Sequence, residues 1–570
     1  MAVSHIFNGK VHKLPGVYAV TKSLIQAPNI TASYSKVLVI DTGAKNEVFA
    51  RGAGVDGTYA KGKNAIYHLR SASEMKSFIK GGYWSVLADA LFNPSNIRDT
   101  SGVSDVYFIS ACNTTPAKCT LNVGGIVFEV ACKDEGTFGN SYGTMSDNTF
   151  GEVPITVPAT LTMKTLKRGY GVKLDIGERD RDKFVLKFYV GTYNGLYDDG
   201  MPYDQFMDDA RESLVLSSPE FSDVGEIYDW MKTDPDFDDG FVLVNDQTRP
   251  QGSLVPIYNN SGTVIQSPDI VPDIPDGFVP FKGGTQSYRQ EHIDQVIEST
   301  KGMDTSFVIT DRYGVNEGRG DINRQIEFAV LNQRFEQFLV VGGGKTKDEF
   351  NKRRATGLSS VQMARDYNSD YVWVIHGGIK KVGRGGKLRE WDSLYHACYI
   401  LGRIAGMPPQ VPPTFKEIDI SGLSHDLTEI EKIEALDSGV LTTYFDEDFQ
   451  RFTILKGVNT LQANNQLVNP DGTSCSIQVR RCAAIINKEM IQDAKRELFS
   501  QRDGVTIMSL PPEQLETWTT AKLLNKIERQ LLVEFSDINI ERRQDAYFVS
   551  YSFRPNYEIN MLFFSSFIID

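Results

Sequence analysis

The spacing of apolar and polar positions changes several times along the chain, and each change predicts an element. Val37-Leu38-Val39-Ile40 is a continuous apolar run closed by Asp41-Thr42-Gly43, and Val106-Tyr107-Phe108-Ile109 is a second run. Short apolar runs of this kind read as buried strands. Between them, residues 73–92 (SEMKSFIKGGYWSVLADALF) read as helix, Gly-Gly break, helix, with Ser73 as the N-cap. From about 115 to 200, runs such as 120–131 (TLNVGGIVFEVA) and 184–190 (FVLKFYV) alternate with Gly- and Asn-rich turns, which predicts a β-rich region. Residues 230–282 are crowded with Asp and Pro (TDPDFDDG, SPDIVPDIPDGF) and read as a loop-rich surface segment, not a core.

The clearest pattern follows. Strands are expected at 306–309, 338–341 and 371–375, with helices at 321–334, 348–366 and 391–405. Strand starts at 307, 338 and 371 lie 31 and 33 residues apart, the spacing of βαβ units, so a parallel, helix-covered sheet is predicted. The proline run 408–413 then breaks the chain. Beyond it the pattern predicts a helix at 427–437, a strand pair near 440–458, a strand at 476–480 (SIQVR) and a helix at 482–498. That last helix puts Cys482, Ile486, Met490, Ala494 and Leu498 on one stripe. A helix at 519–535 is expected to carry Leu523, Leu524, Ile527, Leu531 and Phe535, and two β-prone runs, 547–553 and 559–569, close the chain.

Composition narrows the class. The 570 residues carry 60 Lys+Arg against 73 Asp+Glu, a net charge of −13. So acidic a chain is a poor generic nucleic-acid binder, and copies of it repel at long range, so self-assembly would use local complementarity or non-electrostatic contacts. Six cysteines without a CxxC pair predict reduced, buried thiols, neither a disulfide framework nor a zinc site. The start of the chain lacks the apolar core of a signal peptide, and no run reaches the roughly 18 apolar residues of a membrane span, so a cytosolic setting is expected.

Three motifs resemble chemistry. Gly342-Gly343-Gly344-Lys345-Thr346 sits between a strand and a helix, but Leu339 stands where a phosphate loop needs its first Gly, so an ordinary βα turn is expected. Asp41-Thr42-Gly43, His376-Gly377-Gly378 and Gly472-Thr473-Ser474 occur in the chain order of a subtilisin-type triad. Ser474, however, follows a turn and is expected to run into a strand, not to open a buried helix. A lone DTG lacks the second carboxylate of an aspartic protease. Seven histidines (5, 12, 68, 292, 376, 396, 425) read as scattered, and 234–240 (DPDFDDG) reads as a solvated acidic loop without EF-hand spacing. No catalytic, metal or cofactor-binding residues are expected.

The oddest feature is the last stretch. Ile559, Met561, Leu562, Phe563, Phe564, Phe567, Ile568 and Ile569 place eight apolar side chains in eleven residues. A run so apolar and β-prone must be covered by its own sheet or by another chain.

Several segments resemble the contractile tail sheath proteins of bacteriophages and related injection machines. Pro15-Gly16-Val17-Tyr18 is similar to the family's PGVY motif, and Gly136-Thr137-Phe138-Gly139-Asn140 to its PGxWGN turn, with Glu135 in place of the proline and Phe138 of the tryptophan. Phe281-Lys282-Gly283-Gly284-Thr285 resembles the family's L-x-GG entry to its α/β region. Gly457-Val458-Asn459-Thr460-Leu461 followed by 477–481 (IQVRR) resembles its GVNTL…VRR pair, and 548–568 (FVSYSFRPNYEINMLFFSSFI) its final strand-proline-strand arm.

The resemblance implies a multidomain α/β and α+β fold. Its parts would be an N-terminal arm (1–30), a subtilisin-like α/β domain without active site (31–114 and 283–407), a β-rich inserted domain (115–200), a loop-rich outer insert (201–282), a tube-proximal C-terminal α+β domain (408–546) and a C-terminal strand and arm (547–570). It implies a structural subunit, not an enzyme, of stacked hexameric rings that contract to drive a tail tube through the host envelope during genome delivery. Pro15, Gly16, Val17, Tyr18, Ile559, Leu562, Phe564, Phe567 and Ile569 would make the inter-subunit arm contacts. The implied partners are further copies of the chain, the tail tube protein, and baseplate and tail terminator proteins, without direct nucleic-acid contact. The implied place is the virion, after assembly in the host cytoplasm. The sheath of a bacterial injection or secretion system, and an α/β hydrolase or NTPase, are the alternatives.

Overall fold

A computed structural model describes residues 5–7, 10–12, 34–41, 66–134, 139–141, 169–193, 210–254, 277–313, 337–351, 359–462, 475–499 and 510–557, with short internal breaks. The arm residues Pro15, Gly16, Val17, Tyr18, Ile559, Leu562, Phe564, Phe567 and Ile569, the expected helix 321–334 and Ser474 lie outside the described residues.

The organising element is a seven-stranded sheet. Its strands are β1 (Lys36–Asp41), β2 (Tyr67–Leu69), β3 (Asp105–Ser110), β4 (Phe307–Tyr313), β5 (Phe338–Gly342), β6 (Val372–Ile375) and β7 (Val440–Leu441). Their order across the sheet is β7-β6-β5-β4-β1-β3-β2, and all pairs are parallel except β2 with β3. Both faces are covered, which is why the strands read as unbroken apolar runs. Val37, Val39, Phe307, Ile309, Phe338, Val340, Trp373 and Ile375 pack into one core layer. Leu38, Ile40, Val308, Leu339, Val341, Val372 and Val374 pack into the other. The period-two alternation thus splits each run between two hydrophobic layers.

Helices α1 (Ala72–Phe78), α2 (Tyr83–Phe92), α3 (Ser360–Tyr367) and α4 (Ser393–Ala405) lie in the expected places. The cap of α1 is Ser71, not Ser73: its Oγ accepts from Glu74 N at 3.1 Å, while the Glu74 carboxylate reaches back to Arg70 N. Helix α4 is buried almost all round, and its N-cap Asp392 accepts from Leu394 and Tyr395 N–H groups.

The chain beyond the prolines returns to the same sheet. After α5 (Glu429–Ser438), Gly439 adopts φ 72° where an added Cβ would strike Asn459 O, so only glycine suits this reversal into β7. Ile418, Ile420, Leu441, Ile454 and Ile477 join the sheet's core.

A second core sits between two smaller sheets. Strand Ile126–Cys132 pairs with Lys118–Val123 on one side and Phe241–Leu243 on the other, and Gly169–Ile176, Phe184–Tyr193 and Ala210–Ser217 form the other sheet with Val279–Pro280. The loop-rich reading of 230–282 needs correction here. Val224–Thr233 is a helix with an Asp223/Glu226 capping box, and Pro235–Gly240, the supposed acidic loop, is a short helix capped by Asp234. Ile227, Trp230, Met231, Phe237, Phe241 and Leu243 are buried in this core. The acids occupy caps and outer faces, and the aromatic residues between them supply the packing.

The C-terminal unit comprises α6 (Ile477–Asp493), continued by a π-helical turn at Ala494–Phe499, α7 (Pro512–Glu528), and a long hairpin of β8 (Leu532–Arg543) and β9 (Ala546–Pro555). Two expectations fail here. Residues 476–480 open a helix instead of forming a strand, because Ile477, Arg481 and Ile485 at four-residue spacing are all buried. The second helix stops at Glu528, not 535: Gln530 turns at φ 60°, and Leu531, Leu532 and Phe535 belong to the turn and β8.

Candidate functional site: the sheet's carboxyl edge and the C-terminal hairpin

In open α/β sheets, ligands bind outside the carboxyl ends of the strands. Here that edge is packed with the chain's own groups. The glycine-rich turn after β5 donates its amides inward: Gly344 N–H to Ser360 Oγ at 2.7 Å, and Lys345 and Thr346 N–H to the Glu349 carboxylate at 2.6 and 3.1 Å. A carboxylate of the same chain therefore sits where a phosphate would need those donors. A Cβ on Gly343 would lie 2.7 Å from Ser360 Oγ, and one on Gly344 2.5 Å from Glu349 Cβ, so the glycines are needed for close packing. Lys345 pairs at 3.6 Å with Glu390.

The three triad candidates do not meet. His376 follows β6, and Asp41 ends β1, three strands away in the sheet. At about 4.8 Å per strand that is roughly 14 Å, far beyond hydrogen-bond reach. Asp41 is buried and accepts from Ser110 Oγ at 2.7 Å. Both ring nitrogens of His376 are taken, Nδ1 by Ser360 Oγ at 2.7 Å and Nε2 by His425 Nε2 at 3.0 Å. His396 lies beside them: Nδ1 donates to the carbonyls of His376 and Gly377 at 3.1 and 2.9 Å, and Nε2 accepts from Thr443 Oγ1 at 3.1 Å. Three of the seven histidines thus form one cluster, a correction to their reading as scattered. Their positions on a strand end, a helix and a loop gave no sequence spacing by which to see it.

Burial holds His376 well below the usual histidine range, helped by the neighbouring His425 and His396. Burial also lowers His396 to about 4, against its hydrogen bonds to the two carbonyls. Neutral rings are what this cluster requires. Ser360 is fully buried and opens α3, so its hydroxyl bridges loop and ring instead of facing a cleft. Among the described residues no group of three or more His, Cys, Asp or Glu side chains is placed to hold a metal ion.

The hairpin is the opposite case. Among the described residues β8 and β9 pair only with each other. Their roots are anchored: Leu532 is buried with Cys482, Ile485, Ile486, Leu523 and Leu531, and Phe535, Ile538, Tyr551 and Phe553 pack partly against that core. Behind it, Glu489 on α6 is gripped by Lys526 and by Arg529 at 2.7 and 2.9 Å. Glu497 in the π turn accepts from Lys522 at 2.6 Å and Trp518 Nε1 at 3.0 Å, and Lys522 above all holds its carboxyl down at about 2. Val533 at the root, and Phe548 and Val549 further out, stand exposed.

The overall fold recurs in a solved structure. The crystal structure of the sheath tail protein from Desulfitobacterium hafniense superposes with a TM-score of 0.56 at 11% identity, over 95% of this chain and 97% of that one. The chain has the fold of a sheath tail protein. A second sheath tail protein, from Listeria innocua, aligns with a TM-score of 0.48 at 13% identity over 91% of this chain and 92% of that one. In sequence, the curated tail sheath protein of Bacillus phage SP01 is 24% identical over 276 residues, 47% of this chain and 43% of the relative. The aligned part therefore spans less than half of that relative's length. No protein-family model matches the chain. The resemblance read from the sheath-like motifs thus recurs in both sequence and fold. Gly457 and Asn459, from one such motif, are held by backbone bonds: Ile477 N donates to Gly457 O, and Asn459 N to Cys475 O. Among the described residues no helix is long and apolar enough to cross a membrane.

Proposed function

We propose that this chain is the structural subunit of a contractile phage tail sheath, not an enzyme. It would polymerise as stacked hexameric rings around a tail tube and contract to drive the tube through the host envelope. The observation that carries the reading is the long hairpin whose strands, among the described residues, pair only with each other, followed by an apolar segment that needs covering. A two-stranded ribbon is marginal alone in water, and a further strand laid along its edge satisfies both problems at once. Donation between copies links them by a backbone ladder, which ignores the long-range repulsion of a chain charged −13. Such a ladder also survives rigid-body rotation of the domains that carry it.

In this reading Pro15, Gly16, Val17 and Tyr18 at one end, and Ile559, Leu562, Phe564, Phe567 and Ile569 at the other, make the inter-subunit contacts. The α/β sheet is a subtilisin-like domain without an active site, the insert 201–282 faces outward, and the C-terminal domain 408–546 lies toward the tube. Partners are other copies, the tube protein, and the baseplate and terminator proteins. The work comes from an extended assembly trapped above a more stable contracted one, without nucleotide. An injection-system sheath would use the same surfaces and differ in what surrounds it.

Electron micrographs of the purified protein, concentrated at moderate salt, test this. Tubes or stacked rings are expected. A persistent monomer that hydrolyses ATP, esters or peptides would replace the proposal with the hydrolase or NTPase reading.

A further inference from the structure

A strand pair that follows β6 ends in bare apolar side chains. Ile379–Val382 and Leu388–Trp391 are antiparallel, with Val382 opposite Leu388 and Lys380 opposite Glu390. Val382 is 52% exposed and Leu388 56%. Directly opposed residues of such a pair hold their Cβ atoms about 4.5–5.5 Å apart, so these two form one small apolar knob. Lys380 lies on the same face, two residues behind Val382, and has no ion pair among the described residues. Glu390 beside it is taken by Lys345 at 3.6 Å, and Lys381 by Asp419. In sequence, 379–391 carries Lys380, Lys381, Arg384, Lys387 and Arg389 against Glu390 alone, the reverse of a chain whose net charge is −13.

Helix α5 presents a counterpart. Ile430 is 79% exposed and Ile433 59%. Ile430, Ile433, Glu434 and Asp437 stand at helical spacing on one stripe, which faces away from the buried Ala435. Glu429 pairs with Lys432 at 2.6 Å and Glu431 with Lys347 at 3.9 Å, whereas Glu434 and Asp437 have no ion pair among the described residues. Residues three apart on a helix have Cβ atoms about 5–6 Å apart, the span of the strand knob. Single exposed apolar residues are ordinary. Two pairs of matching span, one backed by a lysine and the other by two carboxylates, are complementary in shape and in charge.

We propose that these are the two halves of a contact between copies of the chain. Val382 and Leu388 of one copy seat on Ile430 and Ile433 of the next, and Lys380 meets Glu434 and Asp437. The inference rests on the sheath reading and adds a joint of side chains, separate from the backbone ladder at the C-terminal hairpin. Its halves are different surfaces of one chain, so the contact is head-to-tail and repeats from copy to copy into a ring or a helix. It also supplies local attraction between chains that repel at long range.

The test uses the full chain with Val382→Cys and Ile433→Cys, both at exposed positions where the fold tolerates change. The assembled double variant, oxidised, is expected to give a reducible ladder of covalent oligomers on denaturing gels. A mixture of the two single variants should give a dimer, and each single variant alone, like the parent, should not. Lys380→Glu and Glu434→Lys are each expected to raise the concentration needed for assembly by about tenfold, and the two together to restore it. Parent-like tubes without the cross-link, a bond closed within one chain, single variants that dimerise alone as well as the mixture does, or charge reversals without effect would overturn the contact. A parent that forms no rings or tubes at any concentration would instead sink the sheath reading, and this contact with it.

Discussion

Strand β6 is buried at all four of its positions, whereas β9 is partly or fully exposed at every position described. The two are built from similar residues, Val-Trp-Val-Ile in one and Tyr-Phe-Val-Ser-Tyr-Ser-Phe in the other. What differs is the company. β6 has strands on both sides and a hydrophobic layer on each face. Among the described residues β9 has one neighbour and a core under its root. The contrast extends to the polar groups. At the sheet's carboxyl edge the Gly344, Lys345 and Thr346 amides and both ring nitrogens of His376 are paired within the chain. Among the described residues no third strand pairs with the hairpin's outer edges. β-Propensity alone does not tell these states apart, because it reports fit to a half-buried pleated surface, not whether that surface is complete.

The comparison can be broken most decisively at the end of the chain. Deleting 557–570 is expected to abolish tubes while leaving a soluble subunit with a cooperative melt. Burying the eight apolar side chains of 559–569 is worth about 12–24 kcal/mol. That exceeds the roughly 5–15 kcal/mol that holds a domain together. Were the segment packed in its own domain, the truncated chain would unfold. Circular dichroism, size-exclusion chromatography and microscopy distinguish the outcomes: a truncated chain that is unfolded, or one that still builds tubes, counts against donation.

Next in size is a pair of aromatic truncations. Trp373→Ala, at the centre of the closed sheet, is expected to cost about 3–5 kcal/mol in chemical denaturation. Phe548→Ala, on the exposed hairpin, is expected to cost the monomer less than about 0.5 kcal/mol and yet to reduce tube yield. Equal costs for the two in the monomer would mean the hairpin's outer face is already covered within one chain.

Acid sharpens the polar side of the comparison. His396 is neutral in the fold, with its pKa lowered by burial to about 4, against about 6.5 when unfolded. Above 6.5 both states are neutral and pH has no effect through this group. Between 6.5 and 4 the unfolded chain binds the extra proton, so stability falls as pH falls, by about 2 kcal/mol at pH 5. His396→Gln is expected to flatten that part of the stability–pH curve. An unchanged slope would mean that the cluster already admits the proton in the native state. The smallest effect is expected from Lys345→Ala: within about 0.5 kcal/mol of the parent, with tubes intact, since the adjoining amides are held by Glu349 and the lysine pairs near the surface. Loss of an ATPase rate in that variant would reopen the phosphate-loop reading.

The sequence by itself determined the parallel sheet. Strand residues 37–40, 106–109, 307–309, 338–341 and 372–375 were legible because both faces are buried, which leaves an apolar run with no competing helical reading. The helices 83–92, 393–405 and 429–438 were legible from periodicity. The capping box Asp223–Glu226, followed by Ile227, Trp230 and Met231 at helical spacing, was equally readable and was masked by the density of Asp and Pro around it. Other features were decided only in three dimensions. Residues 476–480 have strand propensity, yet the four-residue spacing of Ile477, Arg481 and Ile485 against two different cores makes them helical. The run from Leu523 to Phe535 fits a helix until Gln530 turns into the left-handed region, and then the same residues serve β8. The meeting of His376, His396 and His425 depends on which ends of strands and helices the topology brings together. Local pattern records what one residue's neighbours in sequence require of it. Whether a charge is paired, or a strand has a second neighbour, is a property of segments hundreds of residues apart, and only the folded chain sets it.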